Sequence, residues 1–304
     1  MNWFLLALIN PVFHAVSNHL DKYLITRWTS EVKVGVLILF SCLFSVLLLP
    51  VMVLIDSSLF SAVSLLQGAA LVANGSILAA AILLYLKALD QEEASFVVPF
   101  FELIPLLGLL LGYVFLGEIL TANQMWAGLL IIIGSSMLSF EFNDGKARVK
   151  SKVVALMVTS SLLYAINGVA FKYFTPADEF VSAVFWNSLG MVLFGLVILA
   201  INSDYRGQFV GLIKRHHYKV LGLNLLNEAI VMAGEIAFML AILSAPVALV
   251  QSIGGLQSLA VFVLGVLITI FFPKFGKESL IFHHLFQKVA AVAVILVGVL
   301  MIDI

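Results

Sequence analysis

Ten long apolar stretches separated by short polar loops leave this chain one kind of solution: helices that cross a bilayer. A helical span needs about 20 predominantly apolar residues. The expected spans are Trp3–His19, Val32–Ile55, Gln67–Leu86, Ala94–Leu116, Gln124–Phe140, Val153–Phe171, Phe180–Ile201, Val220–Leu243, Val247–Phe271 and Val289–Asp303. The runs are continuous rather than alternating, which favours an all-α bundle over a barrel. Charged residues make up 11% of the chain and mean hydropathy is +1.14. Soluble domains carry roughly twice that charge share, so a water-soluble fold is excluded. The loops are too short for an extramembrane domain. The first span has neither a basic leading region nor a clear cleavage site, and is expected to be retained. A lone cysteine, Cys42, excludes an internal disulfide. A net charge of −1 gives no sign of a nucleic-acid partner.

The basic residues sort by loop. Lys22, Arg27 and Lys33 lie in loop 1–2, Lys87 in loop 3–4, and Lys146, Arg148, Lys150 and Lys152 in loop 5–6. Arg206, Lys214, Arg215 and Lys219 lie in loop 7–8, and Lys274, Lys277 and Lys288 in loop 9–10. Only Lys172 falls in any other connection. Loops rich in Lys and Arg stay cytoplasmic. Ten spans then place both termini outside, and the expected location is the cytoplasmic membrane of a prokaryote.

The chain also reads twice. Ala15-Val16 followed by Lys22-Tyr23 recurs as Ala165-Ile166 followed by Lys172-Tyr173. Ile82, Leu86, Leu89 and Ala94 recur as Ile236, Leu240, Leu243 and Ala248. Residues 1–142 and 153–304 thus form two five-span repeats around a basic linker, 143–152. An odd number of spans forces the halves to insert in opposite directions. Inverted repeats are a common plan of secondary transporters, with the site near mid-membrane at their interface.

One run carries a more specific signal. Pro105, then Leu116-Gly117-Glu118, then Gln124, Gly128 and Gly134 resemble the end of a repeat in the EamA branch of the drug/metabolite transporter superfamily. The resemblance implies ten spans and export or exchange of small metabolites, amino acids or drugs by alternating access. The second half departs from the pattern: Leu259 stands opposite Pro105, Phe272 opposite Glu118, and Phe271–Glu278 replaces the short turn. Family members are usually drawn with cytoplasmic termini, whereas the loop charges here place them outside.

Three carboxylates lie inside spans: Glu102, Glu228 and Glu235. An ionisable group in the membrane core costs at least about 2–3 kcal/mol unless it meets a cavity or partner. At about 1.5 Å per residue, Glu102 and Glu228 fall just to the basic-loop side of mid-membrane, with Glu235 about two turns beyond on nearly the same face as Glu228. No lysine or arginine reaches this depth. The carboxylates therefore read as proton carriers or docking points for a cationic group, against the alternative of neutral carboxyls acting as interhelical glue. Glu228 aligns with Asn74, so both halves keep a polar side chain there.

Amides and rings complete the candidate set. Asn10, His14 and Asn18 recur on one face of the first span, and Tyr164, aligned with His14, lies one turn from Asn167. Asn187 lies in the seventh span, Asn224 and Asn227 precede Glu228, and Gln251 and Gln257 punctuate the ninth. Apolar walls with a few convergent polar groups suit a small-molecule site. Each such residue has packing as its competing role, and His14 reads as a bundle histidine before a proton relay. Pro99 and Pro105 flank Glu102, and Gly254-Gly255 lies at the corresponding depth of the ninth span, so both helices are expected to bend there.

Glu118 is expected to be a cap or surface residue. His216-His217 and His283-His284 read as loop residues, and no metal site is expected. The run Lys214–Lys219 is expected to meet anionic headgroups. No phosphate-binding glycine loop or nucleophile constellation occurs, so neither an ATP-driven pump nor a hydrolase is supported, and no cofactor is implied. The leading expectation is a proton-coupled or exchange carrier for a small polar or amphipathic metabolite. Its alternatives are a carrier of lipid-linked or phosphorylated substrates, disfavoured by the missing intramembrane cation, and a membrane scaffold.

Overall fold

The computed structural model describes residues 3–28, 34–92, 97–139, 151–176, 178–215, 218–271 and 282–301. Most of the linker 143–152, the stretch 272–278 and His216-His217 lie outside them, as do the side chains of Lys22, Arg27, His283 and His284. The described residues hold helices and no strand: α1 (Trp3–Trp28), α2 (Val34–Phe44), α3 (Leu48–Ile55), α4 (Leu65–Leu89), α5 (Leu103–Leu111), α6 (Ala122–Ser139) and α7 (Ser151–Phe174). There follow α8 (Phe180–Ile201), α9 (Ser203–Arg215), α10 (Tyr218–Ser244), α11 (Val247–Gly254), α12 (Leu256–Phe271) and α13 (Phe282–Met301). A 3-10 turn, Ser45–Leu47, joins α2 to α3, and Pro50 is accommodated in the first turn of α3.

Six of these helical stretches are long and apolar enough to cross a membrane: Val34–Ile55, Leu65–Leu89, Ser151–Phe174, Phe180–Ile201, Leu221–Ser244 and Val247–Phe271. The other four expected spans fall on helices that are more polar or shorter. Asn10, His14, Ser17, Asn18 and His19 dilute α1, and Asn123 and Gln124 open α6. The fourth span is divided between a 3-10 segment, Val98–Glu102, then α5 and a π turn, Gly112–Leu116. Apolar residues 289–301 are the last piece.

Helix pairing places the site. α1 lies along α10 and α12, α4 along both α7 and α8, and α6 along α13. α5 packs on α7 and α11, while α10 meets α2 only lightly. The α4–α8 crossing is close because glycines line it: a Cβ on Gly75 would strike the Asn187 carbonyl, and one on Gly190 the Val72 carbonyl. Small residues that let backbones approach are a means of joining helices where lipid removes the usual hydrophobic drive. α9, in the seventh connection, is an amphipathic helix seated on α2 through Phe209 and Leu212 against Phe40 and Val36.

Candidate functional site

Both the fourth and ninth spans break at the depth of Glu102. The 3-10 segment ends on Glu102 itself, and α11 stops at Gly254 with Gly255 as a turn before α12. The two breaks face each other: a Cβ on Gly255 would sit 3.1 Å from Glu102 Oε2 and 2.8 Å from Ser135 Oγ of α6. Glycine at 255 is therefore what admits the half-buried Glu102 carboxyl between the two interrupted helices. The Phe100 carbonyl beside the break accepts a 2.8 Å bond from Ser161 Oγ of α7.

A second polar group lies at the α1–α10 crossing. Glu235 Oε1 is 2.9 Å from His14 Nε2 and accepts from Asn10 Nδ2 at 3.2 Å. His14 and Glu235 keep 26% and 28% of their side-chain surface, so this mid-span pair is reached by something other than protein. Ionisable groups at such a depth face the bundle interior or a water-filled cavity. Tyr164 of α7 is within electrostatic range of Glu235. Its ring meets Phe101 edge-on at 5.6 Å, and Phe101 meets Tyr85 at 5.0 Å. Carboxylates, an imidazole and three aromatic rings are thus contributed by α1, α4, α7, α10 and the fourth-span break.

The asparagines do different work. Asn74 is 2% exposed; its Nδ2 donates to the Asn167 carbonyl and to Asn187 Oδ1, and Asn167 Nδ2 returns a bond to the Asn74 carbonyl. These three residues knit α4, α7 and α8. Glu228, aligned with Asn74, accepts at 3.1 Å from Ser41 Oγ of α2 and is half-buried. Gln251 is wedged between Gly108 of α5 and Gly168 of α7, with its Oε1 unpaired among the described residues. Asn224 and Gln257 are half-buried, and Asn18 is exposed on α1.

Glu118 is neither a cap of its own helix nor a surface residue. Gly117, at φ 67°, takes the left-handed conformation that ends the fourth span. That turn sends the Glu118 side chain, 13% exposed, to Lys172 Nζ of α7 at 2.7 Å and to the Val247 N–H opening α11 at 2.8 Å. Lys172 also donates to the Ala245 carbonyl at 2.6 Å. The Leu-Gly-Glu motif is therefore an interhelical lock. Sequence reasoning missed this pair, along with Ser41, Ser135 and Phe101. Lys172 as the one basic residue outside the basic loops of the sequence was the signal that could have found the lock. Among the described residues no group of three or more His, Cys, Asp or Glu is placed to hold a metal.

No curated protein matches the chain. A solved crystal structure of a protein superposes with a TM-score of 0.67 over 99% of this chain and 95% of its own length, at 17% identity, so the two share a fold. The family model of the EamA-like transporter family matches residues 1–140, the part of the chain that holds the Leu116-Gly117-Glu118 motif. Residues 1–140 are thus similar to the EamA-like transporter family, a membrane transporter family of the drug/metabolite transporter superfamily.

Proposed function

We propose that the protein is a secondary transporter that exports or exchanges a small polar or amphipathic metabolite by alternating access, coupled to protons through Glu235 and its neighbours. The proposed architecture is ten spans in two inverted repeats, 1–142 and 153–304, with both termini outside. Mirrored contacts support the repeat. Asn10 on Glu235 joins α1 to α10, and the aligned pair, Ser160 on the Ala81 carbonyl at 2.8 Å, joins α7 to α4. The broken fourth and ninth spans lie at matching positions.

The observation that carries the functional reading is the half-exposed His14–Glu235 pair at mid-span. A carboxylate and imidazole sharing one hydrogen bond can hold or release a proton according to what occupies the space beside them. Alternating access draws support from unequal crossings. α4 is seated on α8 through two glycines, while α10 and α2 touch lightly. The α2–α10 side, next to the basic loops, is the side we assign to substrate entry. Glu102, the Tyr85–Phe101–Tyr164 ring cluster and Glu228 are the proposed substrate contacts.

Proteoliposomes with and without a pH gradient test the reading. Glu235→Gln should abolish gradient-driven transport while downhill exchange persists. A Glu235→Gln protein with wild-type proton dependence removes the coupling assignment.

A further inference from the structure

A cavity of about 350 Å³ opens between the ends of α4 and α8 and the start of α9, well away from the polar groups at mid-span. Its size falls within the roughly 300–1,000 Å³ of small-molecule sites. Leu83, Ile198 and Ile201 form its apolar wall, and Lys87, Ser203 and Tyr205 its polar rim. Asn202 also lines it, but its side chain is engaged in accepting from the Tyr205 backbone N–H at 3.0 Å. Among the described residues the Lys87 ammonium, the Ser203 hydroxyl and the Tyr205 hydroxyl have no hydrogen-bond partner, so three donors converge on one opening.

The opening lies where the basic connections meet the membrane. Lys87 is in the last turn of α4, and α9 carries Arg206, Lys214 and Arg215. Arg206 is engaged with the Leu199 and Ala200 carbonyls at 3.1 Å each, which leaves Lys87 as the cation of the cavity itself. Burial, and then the nearby Asp90 carboxylate, raise the Tyr205 phenol above its ordinary range, so it remains a donor at neutral pH. Its ring is fixed against α2, where only glycine fits: a Cβ on Gly35 would lie 2.5 Å from Tyr205 Cγ.

We infer that this cavity binds the phosphodiester headgroup of an anionic lipid, with Lys87, Ser203 and Tyr205 around the phosphate and an acyl chain along Leu83, Ile198 and Ile201. A cation with two hydroxyl donors matches a phosphate's charge and acceptor oxygens. The adjoining apolar wall favours a lipid over a soluble phosphate ester. Basic pockets between helices on the cytoplasmic side are where such headgroups bind. The lipid would bridge α4, α8 and α9, tying the amphipathic helix to the bundle beside the proposed entry side.

The test uses the full-length, delipidated protein in neutral detergent, titrated with short-chain phosphatidylglycerol and followed by thermal stabilisation. Phosphatidylcholine of the same chain length and soluble glycerol phosphate are the comparison ligands. Wild type should be stabilised by phosphatidylglycerol alone. Lys87→Met should weaken its binding about tenfold, as expected for loss of a charge-assisted contact. Tyr205→Phe should weaken it about fivefold, with the fold kept intact. Lys214→Ala, an exposed cation on the same helix, should change it by no more than about twofold. Three results would overturn the assignment: undiminished binding by Lys87→Met, an equal loss in Lys214→Ala, or glycerol phosphate binding as well as the lipid.

Discussion

Replacing Lys172 by Met removes the cation of the Leu-Gly-Glu lock while keeping the length and apolar stem of the side chain. Two charge-assisted bonds go with it, the 2.7 Å contact to Glu118 and the 2.6 Å contact to the Ala245 carbonyl. Each is worth about 1.5–3 kcal/mol when both groups are out of water. Lys172 and Glu118 retain 22% and 13% exposure, so water recovers part of the loss. The net destabilisation is then about 3 kcal/mol, at the lower edge of breaking a buried pair. At roughly 2 °C per kcal/mol for a chain of this size, Tm should fall by about 6 °C. Glu118→Gln keeps an acceptor for the Val247 N–H and should lose about half as much. The double variant Lys172→Met/Glu118→Gln should be more stable than the two single losses predict, by at least about 1.5 kcal/mol. Thermal unfolding in detergent, followed by tryptophan fluorescence, measures all of these. A Lys172→Met shift below about 1 °C, or strictly additive losses, would refute the lock.

Three further outcomes follow from the geometry. Gly75→Val drives a side chain into the Asn187 carbonyl and should cost at least about 3 kcal/mol, lowering the yield of folded protein; wild-type Tm in that variant would contradict the close α4–α8 crossing. Cysteine placed at Ser58 should react with an impermeant maleimide in intact cells and cysteine at Ser151 should not, the buried native Cys42 adding no background; the reverse pattern would invert the proposed topology. Glu228→Gln retains an acceptor for Ser41 and should reduce transport less than Glu235→Gln, with equal loss in both making Glu228 a partner in proton coupling.

The helical class, the breaks beside Glu102 and at Gly254-Gly255, and the unusual carboxylates were legible because each departs locally from an apolar run. Which way each polar residue turns was not. Membrane helices are apolar toward lipid and toward protein alike, so the periodicity that marks a buried face in water fades. Asn74, Asn167 and Asn187 read like His14 and Asn10 in the sequence. Only the packing separates the asparagines that join α4, α7 and α8 from the groups around Glu235. Asn10 and Glu235 are 225 positions apart, a pairing no local pattern carries. The helix α9 is not legible in the sequence because its charges outweigh its short apolar face.

The lock has a consequence for the resting state of the molecule. On the proposed repeat relation Lys172 stands opposite Lys22, and Glu118 opposite Phe272. Two identical copies of the first half, paired head to tail, would carry a glutamate and a lysine for this lock at each membrane face. In the fused chain the sequence has a phenylalanine, Phe272, where the first half has this glutamate. On the proposed alternating-access cycle, a lock offered at only one of two mirrored positions favours one side, and placing a glutamate at position 272 is a route to changing that balance.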